Sequence, residues 1–218
     1  NFYVPISMNN QTPRPRGRPL KFDRDKVLDR AVDTFWANGY TATSLEDLTT
    51  NMGINRPSLY AAFGNKHDLF MKTIDRYAET IGRQPLDAFL EEPDIRRAVE
   101  AYFQTTIQCV TSRNRPRGCL IMNVAGERAA NDAEVRGCMS DAYDTRVATI
   151  AERLGTARND GQLPVDADPE SLARMITSVM HSLAARARAG GSRKELSALA
   201  QNFLNLLIPD DARTSALK

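Results

Sequence analysis

Helix start and stop residues divide most of the chain into segments whose apolar residues recur three and four positions apart. The first segment after Asp23 has the apolar residues Val27, Leu28, Ala31, Val32, Phe35 and Trp36. That spacing forms one apolar stripe on a helix, and Asn38-Gly39 then supplies a residue that readily takes the positive φ of a helix end. No segment of useful length alternates apolar and polar residues as a half-buried strand does. The pattern predicts an all-α fold.

The same signals divide the 218 residues into four parts. Residues 1–22 contain four prolines among polar residues, which predicts a flexible arm. Residues 23–69 hold three short helices in helix-turn-helix arrangement, and residues 70–208 hold a second domain of six longer helices. Within this domain, Pro85 and Pro93 are expected to bracket a break between helices. Residues 209–218 form a C-terminal tail.

The segment from Ser44 to Phe63 has the length of a helix-turn-helix motif. Ser44 and Asp47 form a capping box, Gly53 ends the first helix, and a second helix of about seven residues follows, short enough to enter a major groove about 12 Å wide. The outward residues are Asn55, Arg56, Ser58 and Tyr60, followed by Lys66, and no acid lies between Gly53 and Lys66. Arg, Asn and Ser can meet base edges, whereas Tyr and Lys suit phosphate oxygens. Short helix pairs also occur in all-α proteins that do not bind DNA, so a helical adaptor remains an alternative.

Residues Phe22 to Phe70 resemble the DNA-binding domain of the TetR/AcrR family of transcriptional repressors. The resemblance is carried by Gly39-Tyr40, Thr43-Ser44, Gly53-Ile54, Ser58-Leu59-Tyr60, Phe63-Gly64 and Lys66. It implies a homodimer that places one recognition helix in each of two successive major grooves of a palindromic double-stranded operator. The residues implied to contact DNA are Thr43, Ser44, Asn55, Arg56, Pro57, Ser58, Tyr60 and Lys66.

The resemblance also implies that the dimer forms through the last two long helices, at about 169–189 and 193–207. Independently, both helices have broad apolar faces, widened by residues such as Met175, Met180 and Leu206. The alternative is that these faces only close the core of the monomer.

The arm carries a basic charge that the net charge of +2 conceals. Arg14, Arg16, Arg18 and Lys21 are accompanied by no acid, and without them the body of the chain is slightly acidic. Residues 16–19, Arg-Gly-Arg-Pro, resemble the core of an AT-hook, in which Arg16 and Arg18 would enter a narrow minor groove. A solvated tail with only nonspecific attraction to phosphates is the alternative.

The resemblance further implies an effector pocket among the helices of residues 94–189. Its candidate residues are Cys119, Tyr102, Phe103, Met122, Tyr143, Met175, Val179 and His181, although large apolar side chains at helical spacing usually belong to a core. Cys119 lies beside Arg115 and Arg117 at the predicted start of a helix, and both features favour a reactive thiolate. The effector is therefore expected to be a small molecule or an electrophile that modifies Cys119. A small buried structural cysteine is the alternative.

Several other classes of protein are excluded by what the sequence lacks. It has no G-x-S-x-G, no H-E-x-x-H and no Gly-rich phosphate loop after a strand, so we expect no enzyme and no catalytic residues. One histidine in the second domain does not suffice for a multi-histidine metal site, and we expect no cofactor. Three cysteines without C-x-x-C spacing suit a reducing compartment. With no apolar run of ~20 residues and no visible secretory signal, we expect a cytoplasmic protein with no membrane partner.

Overall fold

The computed structural model describes residues 22–209. Within this range it contains helices and no strand, which confirms the predicted all-α fold. The ten α-helices are α1 Arg24–Asn38, α2 Leu45–Met52, α3 Arg56–Phe63, α4 Lys66–Thr80, α5 Gln84–Glu91, α6 Ile95–Val110, α7 Gly126–Ala129, α8 Ala133–Asn159, α9 Pro169–Arg188 and α10 Arg193–Leu207. A π-helical turn, Ile121–Ala125, leads directly into α7. The arm residues Arg16 and Arg18 lie outside the described residues.

Side-chain caps begin most of these helices, as the sequence predicts. Ser44 with Asp47 and Ser192 with Glu195 form capping boxes at α2 and α10, and the Asn55 side chain accepts a hydrogen bond at the start of α3. Each cap satisfies amide groups that have no partner inside the helix. Gly53, with φ of 69°, ends α2 in the left-handed conformation that the tight turn needs.

The expected break between Pro85 and Pro93 is wrong, because α5 occupies it. Pro85 lies in the first turn of α5, where its missing N–H group is not required for helical hydrogen bonding. The helix is retained because Phe89 is fully buried in the core of the second domain. Neither proline interrupts α5, because Pro85 lies in its first turn and Pro93 follows its last residue, Glu91.

Two hydrophobic cores organise the helices. One is built by α1–α4 and includes Phe35, Trp36 and Phe70, and the other is built by α5, α6, α9, α10 and most of α8. Leu120 and Val124 of the π-helical region also belong to the first core. Helix α4 crosses residue 70, so the predicted boundary at residues 69 and 70 does not coincide with a division in the packing. None of the described helices has the length and hydropathy needed to cross a bilayer.

Candidate DNA-binding surface and effector cavity

Helix α3 is held on the surface of the first core by its two buried residues. Leu59 and Phe63 are almost fully buried, and they anchor α3 beside Leu48 of α2 in one core. The Arg24 guanidinium closes the far end of α3 by donating to the Ala62 carbonyl at 2.8 Å. It also lies 5.3 Å from the centre of the Phe63 ring. These contacts fix the orientation of a helix of only eight residues.

The opposite face of α3 is exposed and free of acidic residues. Arg56, Pro57 and Tyr60 are exposed, and Arg56 has no ion-pair partner within residues 22–209. Asn55 uses its amide oxygen to accept the Ser58 backbone N–H at 2.9 Å, which leaves its NH₂ group free to donate. The surface thus offers donors and the positive end of a helix dipole, a combination suited to phosphates and base edges.

Two of the predicted DNA contacts have structural roles at the start of α2. Thr43 is only 1% exposed and its hydroxyl donates to the Gly39 carbonyl at 2.6 Å. Its side chain closes the α1–α2 turn, so the expected DNA contact by Thr43 is not supported by the structure. Ser44 is exposed, although its hydroxyl is hydrogen-bonded to the Asp47 carboxylate at 2.7 Å.

Lys66 and Arg128 both contact the Tyr40 ring. Lys66 Nζ lies 4.5 Å from the ring centre and Arg128 Cζ lies 4.8 Å from it. Burial, followed by the nearby charge of Arg128, lowers the pKa of the Lys66 ammonium. The side chain predicted to meet a phosphate therefore also forms a cation–π contact within the protein.

The Arg128 side chain connects this aromatic contact to a charged cluster at the start of α8. Oδ2 of Asp132 lies 3.0 Å from Arg128 Nε and 2.9 Å from His67 Nε2. Asp132 also caps α8, because its Oδ1 accepts the Val135 amide. Burial raises the pKa of the Asp132 carboxyl, but the Val135 amide, His67 and Arg128 outweigh it and hold that pKa below its usual value. The cluster joins the first turn of α4 to the α7–α8 turn.

A cavity of about 250 Å³ lies where α4, α6, α8, α9 and the π-helical turn meet. Four of the predicted pocket residues line it, namely Cys119, Met122, Tyr143 and His181. The Tyr143 and His181 rings contact each other with centres 5.9 Å apart. Most of the remaining wall is apolar, including Ile81, Ile121 and Met139.

The other four predicted pocket residues do not line this cavity. Tyr102 and Phe103 are almost fully buried in the core of the second domain. Met175 is 50% exposed and, with Val179, borders a groove on the outer surface of α9 and α10. Sequence alone does not separate these four residues from residues of the pocket, because an apolar helix residue has the same sequence pattern whether it faces a core, a cavity or a partner.

Arg146 of α8 is the charged residue of the cavity wall, and sequence reasoning missed it. Its Nη2 donates to the Gly82 carbonyl at 3.0 Å and its Nη1 lies 3.4 Å from the Tyr102 hydroxyl. Burial, together with the charge of Arg146, lowers the pKa of His181 to about 4, so this imidazole is neutral at pH 7. The signal available in the sequence was a single arginine on a helix with many charged residues, which is uninformative.

Cys119 lies directly before the helical region that contains the π-helical turn, as predicted, and it is half-buried. The neighbouring Arg117 is directed elsewhere, because its guanidinium donates to the carbonyls of Ala187 and Gly191. Gly118 has φ of +90°, and a β-carbon there would overlap the Asn123 side chain. Cys109 lines the same cavity, and burial raises the pKa of its thiol. Burial also raises the pKa of the Cys138 thiol, to about 11.

Comparison with known families decides the class of the protein. Residues 27–72 match the family described as bacterial regulatory proteins, tetR family, and residues 96–203 match the tetracyclin repressor-like C-terminal domain. The two matches together cover more than half of the chain. The chain belongs to the TetR family. It is a transcriptional regulator with a helix-turn-helix DNA-binding domain, and not an enzyme.

Individual relatives extend over nearly the whole length of this TetR-family chain. It is 32% identical to the HTH-type transcriptional repressor ComR of Escherichia coli K12 over 88% of this chain and 92% of ComR. It is 26% identical to the repressor BdcR of the same organism over 86% of this chain and 90% of BdcR. A cysteine variant of the TetR family regulator CifR, solved with 26-base-pair operator DNA, superposes with a TM-score of 0.78 and 36% identity. That comparison covers 87% of this chain and 98% of the CifR chain.

Proposed function

We propose that this protein is a repressor that binds a palindromic operator as a homodimer in the cytoplasm and is released by a small effector or by modification of Cys119. The observation that carries the proposal is the exposed, acid-free face of α3, with Arg56 and Tyr60 directed away from the core. The operator-bound structure of the CifR variant, which shares 36% identity with this chain, supports the same use of the domain here.

The homodimer is supported by exposed apolar residues on α9 and α10. Leu206 is 74% exposed and Met175 is 50% exposed, and both border the same groove as Phe203. Exposed apolar side chains that cluster along two adjacent helices are typical of an interface between protein chains. Pairing α9 and α10 with their copies in a second chain would cover this groove and join the subunits as a four-helix bundle.

The π-helical turn provides a route from the cavity to the DNA-binding surface. Ile121 and Met122 line the cavity, whereas Leu120 and Val124 are packed in the core of the DNA-binding domain. The turn continues into α7, whose Arg128 contacts the Tyr40 ring and Asp132. A ligand that displaces Met122 would therefore shift residues that support α1–α4. Such a shift changes the separation of the two recognition helices, which must match successive grooves about 34–36 Å apart.

Cys119 provides a second way to perturb the same turn. Cys119 lines the cavity and lies one residue before the helix begins. Alkylation by iodoacetamide would form a carbon–sulfur bond at Cys119, release iodide and the thiol proton to solvent, and leave an acetamide group in the cavity. The added volume would act on Met122 as a bound effector does.

The DNA-binding part of the proposal is tested by gel shift with purified full-length protein at two salt concentrations. Arg56→Ala is expected to weaken operator binding by ~1–3 kcal/mol and to relax the preference at one base position. Lys66→Ala is expected to weaken binding to all sequences alike. Arg113→Ala, at an exposed loop position, is the matched control and should leave binding unchanged. Unchanged operator affinity of the Arg56 variant would contradict the assignment of α3 as the recognition helix.

The cysteine part is tested by iodoacetamide treatment of the protein–operator complex. Cys119→Ser should bind the operator normally and resist release, whereas the control Cys138→Ser should be released as the wild type is. Equal release of the Cys119→Ser variant would mean that Cys119 is structural.

A further inference from the structure

The Arg146 side chain is a cation in the largely apolar wall of the cavity, and its hydrogen-bond partners are neutral groups. Its guanidinium donates to the Gly82 backbone carbonyl and lies near the Tyr102 hydroxyl. Within residues 22–209 no carboxylate forms an ion pair with it. A guanidinium has five N–H donors, so these two contacts leave donors available toward the cavity.

Three titratable groups that line the cavity with Arg146 are neutral at pH 7. Burial, followed by the proximity of Cys119, raises the pKa of the Tyr77 phenol well above its usual value, so this phenol is neutral at pH 7. The Cys109 thiol is also neutral, because burial raises its pKa. His181 is an uncharged imidazole at pH 7 because its pKa is about 4. It can therefore donate one N–H without adding a second positive charge.

A partly desolvated cation without an anionic partner is unfavourable, and an anion that reaches it removes this cost. Arg117 of the same region donates to two backbone carbonyls and does not line the cavity. Arg146 is different because it lines a space that a ligand can fill. The polar side chains that share this wall include those of Ser140, Tyr143 and His181.

We propose that the cavity binds a small organic carboxylate, with its carboxylate paired to Arg146 and its apolar chain against Ile81, Ile121 and Met122. The identification of this ligand as an effector rests on the repressor function proposed above, whereas its binding does not. A planar guanidinium pairs with a carboxylate through two parallel hydrogen bonds, which gives both affinity and orientation.

The volume limits the size of this carboxylate. The cavity has a volume of about 250 Å³, many times the ~10–15 Å³ needed to hold a single water molecule. A monocarboxylate of about eight non-hydrogen atoms, such as hexanoate, fits this space. Its neutral analogue hexanamide has the same number of non-hydrogen atoms and the same chain, so the two differ chiefly in charge.

The inference is tested by isothermal titration calorimetry of the full chain with sodium hexanoate and with hexanamide. Wild-type protein is expected to bind hexanoate at least about tenfold more tightly than hexanamide, because an ionised acceptor strengthens hydrogen bonds to a guanidinium. Arg146→Met is expected to bind both probes equally, and Arg146→Lys to retain part of the preference. Arg153→Met is the matched control on the same helix, because Arg153 donates to the carbonyls of Glu92 and Pro93 and does not line the cavity.

Equal affinity of the wild type for the two probes would overturn the inference, and so would the absence of any binding up to about 10 mM. If Arg146→Met fails to fold, as judged by circular dichroism, the wild-type comparison and Arg146→Lys decide the question. Gel shifts with the same preparations separate this inference from the proposed function. Lost carboxylate selectivity with normal operator binding refutes only the ligand class, whereas failed operator binding refutes only the repressor.

Discussion

Asp132→Asn tests how firmly the α7–α8 turn is joined to the DNA-binding domain. The substitution removes the negative charge but keeps an oxygen that can cap α8, since Asn and Asp are comparable N-caps. Oδ2 of Asp132 meets two donors, at 2.9 Å from His67 and 3.0 Å from Arg128. The Asp132 side chain is 9% exposed, that of His67 27% and that of Arg128 32%, so both ion pairs are partly buried. Hydrogen bonds to charged groups contribute ~1.5–3 kcal/mol and exposed ion pairs less than ~1 kcal/mol, so we expect a loss of about 1–2 kcal/mol.

The assay is urea unfolding of the wild type, Asp132→Asn and Asp132→Ala at pH 7, with circular dichroism as the probe of unfolding. Asp132→Ala should lose about 1 kcal/mol more than Asp132→Asn, because it also lacks the cap. The carboxyl has a lowered pKa, so its stabilising effect is present above the ordinary value of 3.8 and is lost as pH falls through the lower folded value. The difference in stability between the wild type and Asp132→Asn should therefore shrink as the pH falls below 3.8 and disappear below the lowered folded pKa. Equal unfolding midpoints of these two proteins at pH 7 would refute the reasoning.

Three other outcomes are expected. Gly118→Ala should destabilise the protein by ~1–3 kcal/mol in urea unfolding, because alanine is strained at positive φ, whereas the control Gly137→Ala, with open space around it, should be neutral or stabilising. Leu206→Glu should convert the dimer into a monomer, as measured by sedimentation velocity. The control Leu90→Glu, which changes an exposed apolar residue of α5, should remain a dimer. A dimeric Leu206→Glu variant would contradict the proposed interface. Deletion of residues 1–20, which removes Arg14, Arg16 and Arg18, should reduce the salt dependence of operator binding by up to ~3 charges, and an unchanged slope would discard a role for the arm.

The helices and the recognition motif could be predicted because local residues determine them. Ser44, Asn55 and Gly53 act on their own backbone neighbours, and their roles can be read from spacing alone. Helix α5 was not predicted because its existence depends on Phe89, which is buried by tertiary packing against residues such as Tyr102 of α6. Thr43 was misassigned for a related reason, since a hydroxyl has the same sequence signature whether it meets a phosphate or the Gly39 carbonyl.

The cavity was predicted less well than the DNA-binding surface. Cys119, Met122, Tyr143 and His181 do line it, but the decisive charge comes from Arg146. The partners of Arg146 lie far from it in the sequence, and no short motif reports that a long helix directs one arginine inward. Sequence periodicity identifies the apolar face of a helix, whereas the tertiary fold decides which part of that face borders an empty volume.

The sharing of one core by α1–α4 and the π-helical region has a consequence for protein engineering. A fragment cut after α4 would expose the surfaces that Leu120, Val124 and Val135 cover in the intact chain. In a chimaera that joins the DNA-binding domain of this chain to the second domain of a distant homologue, the same surfaces would contact non-native side chains. The DNA-binding domain is therefore not interchangeable by itself, and a domain exchange should include residues 120–138 with it.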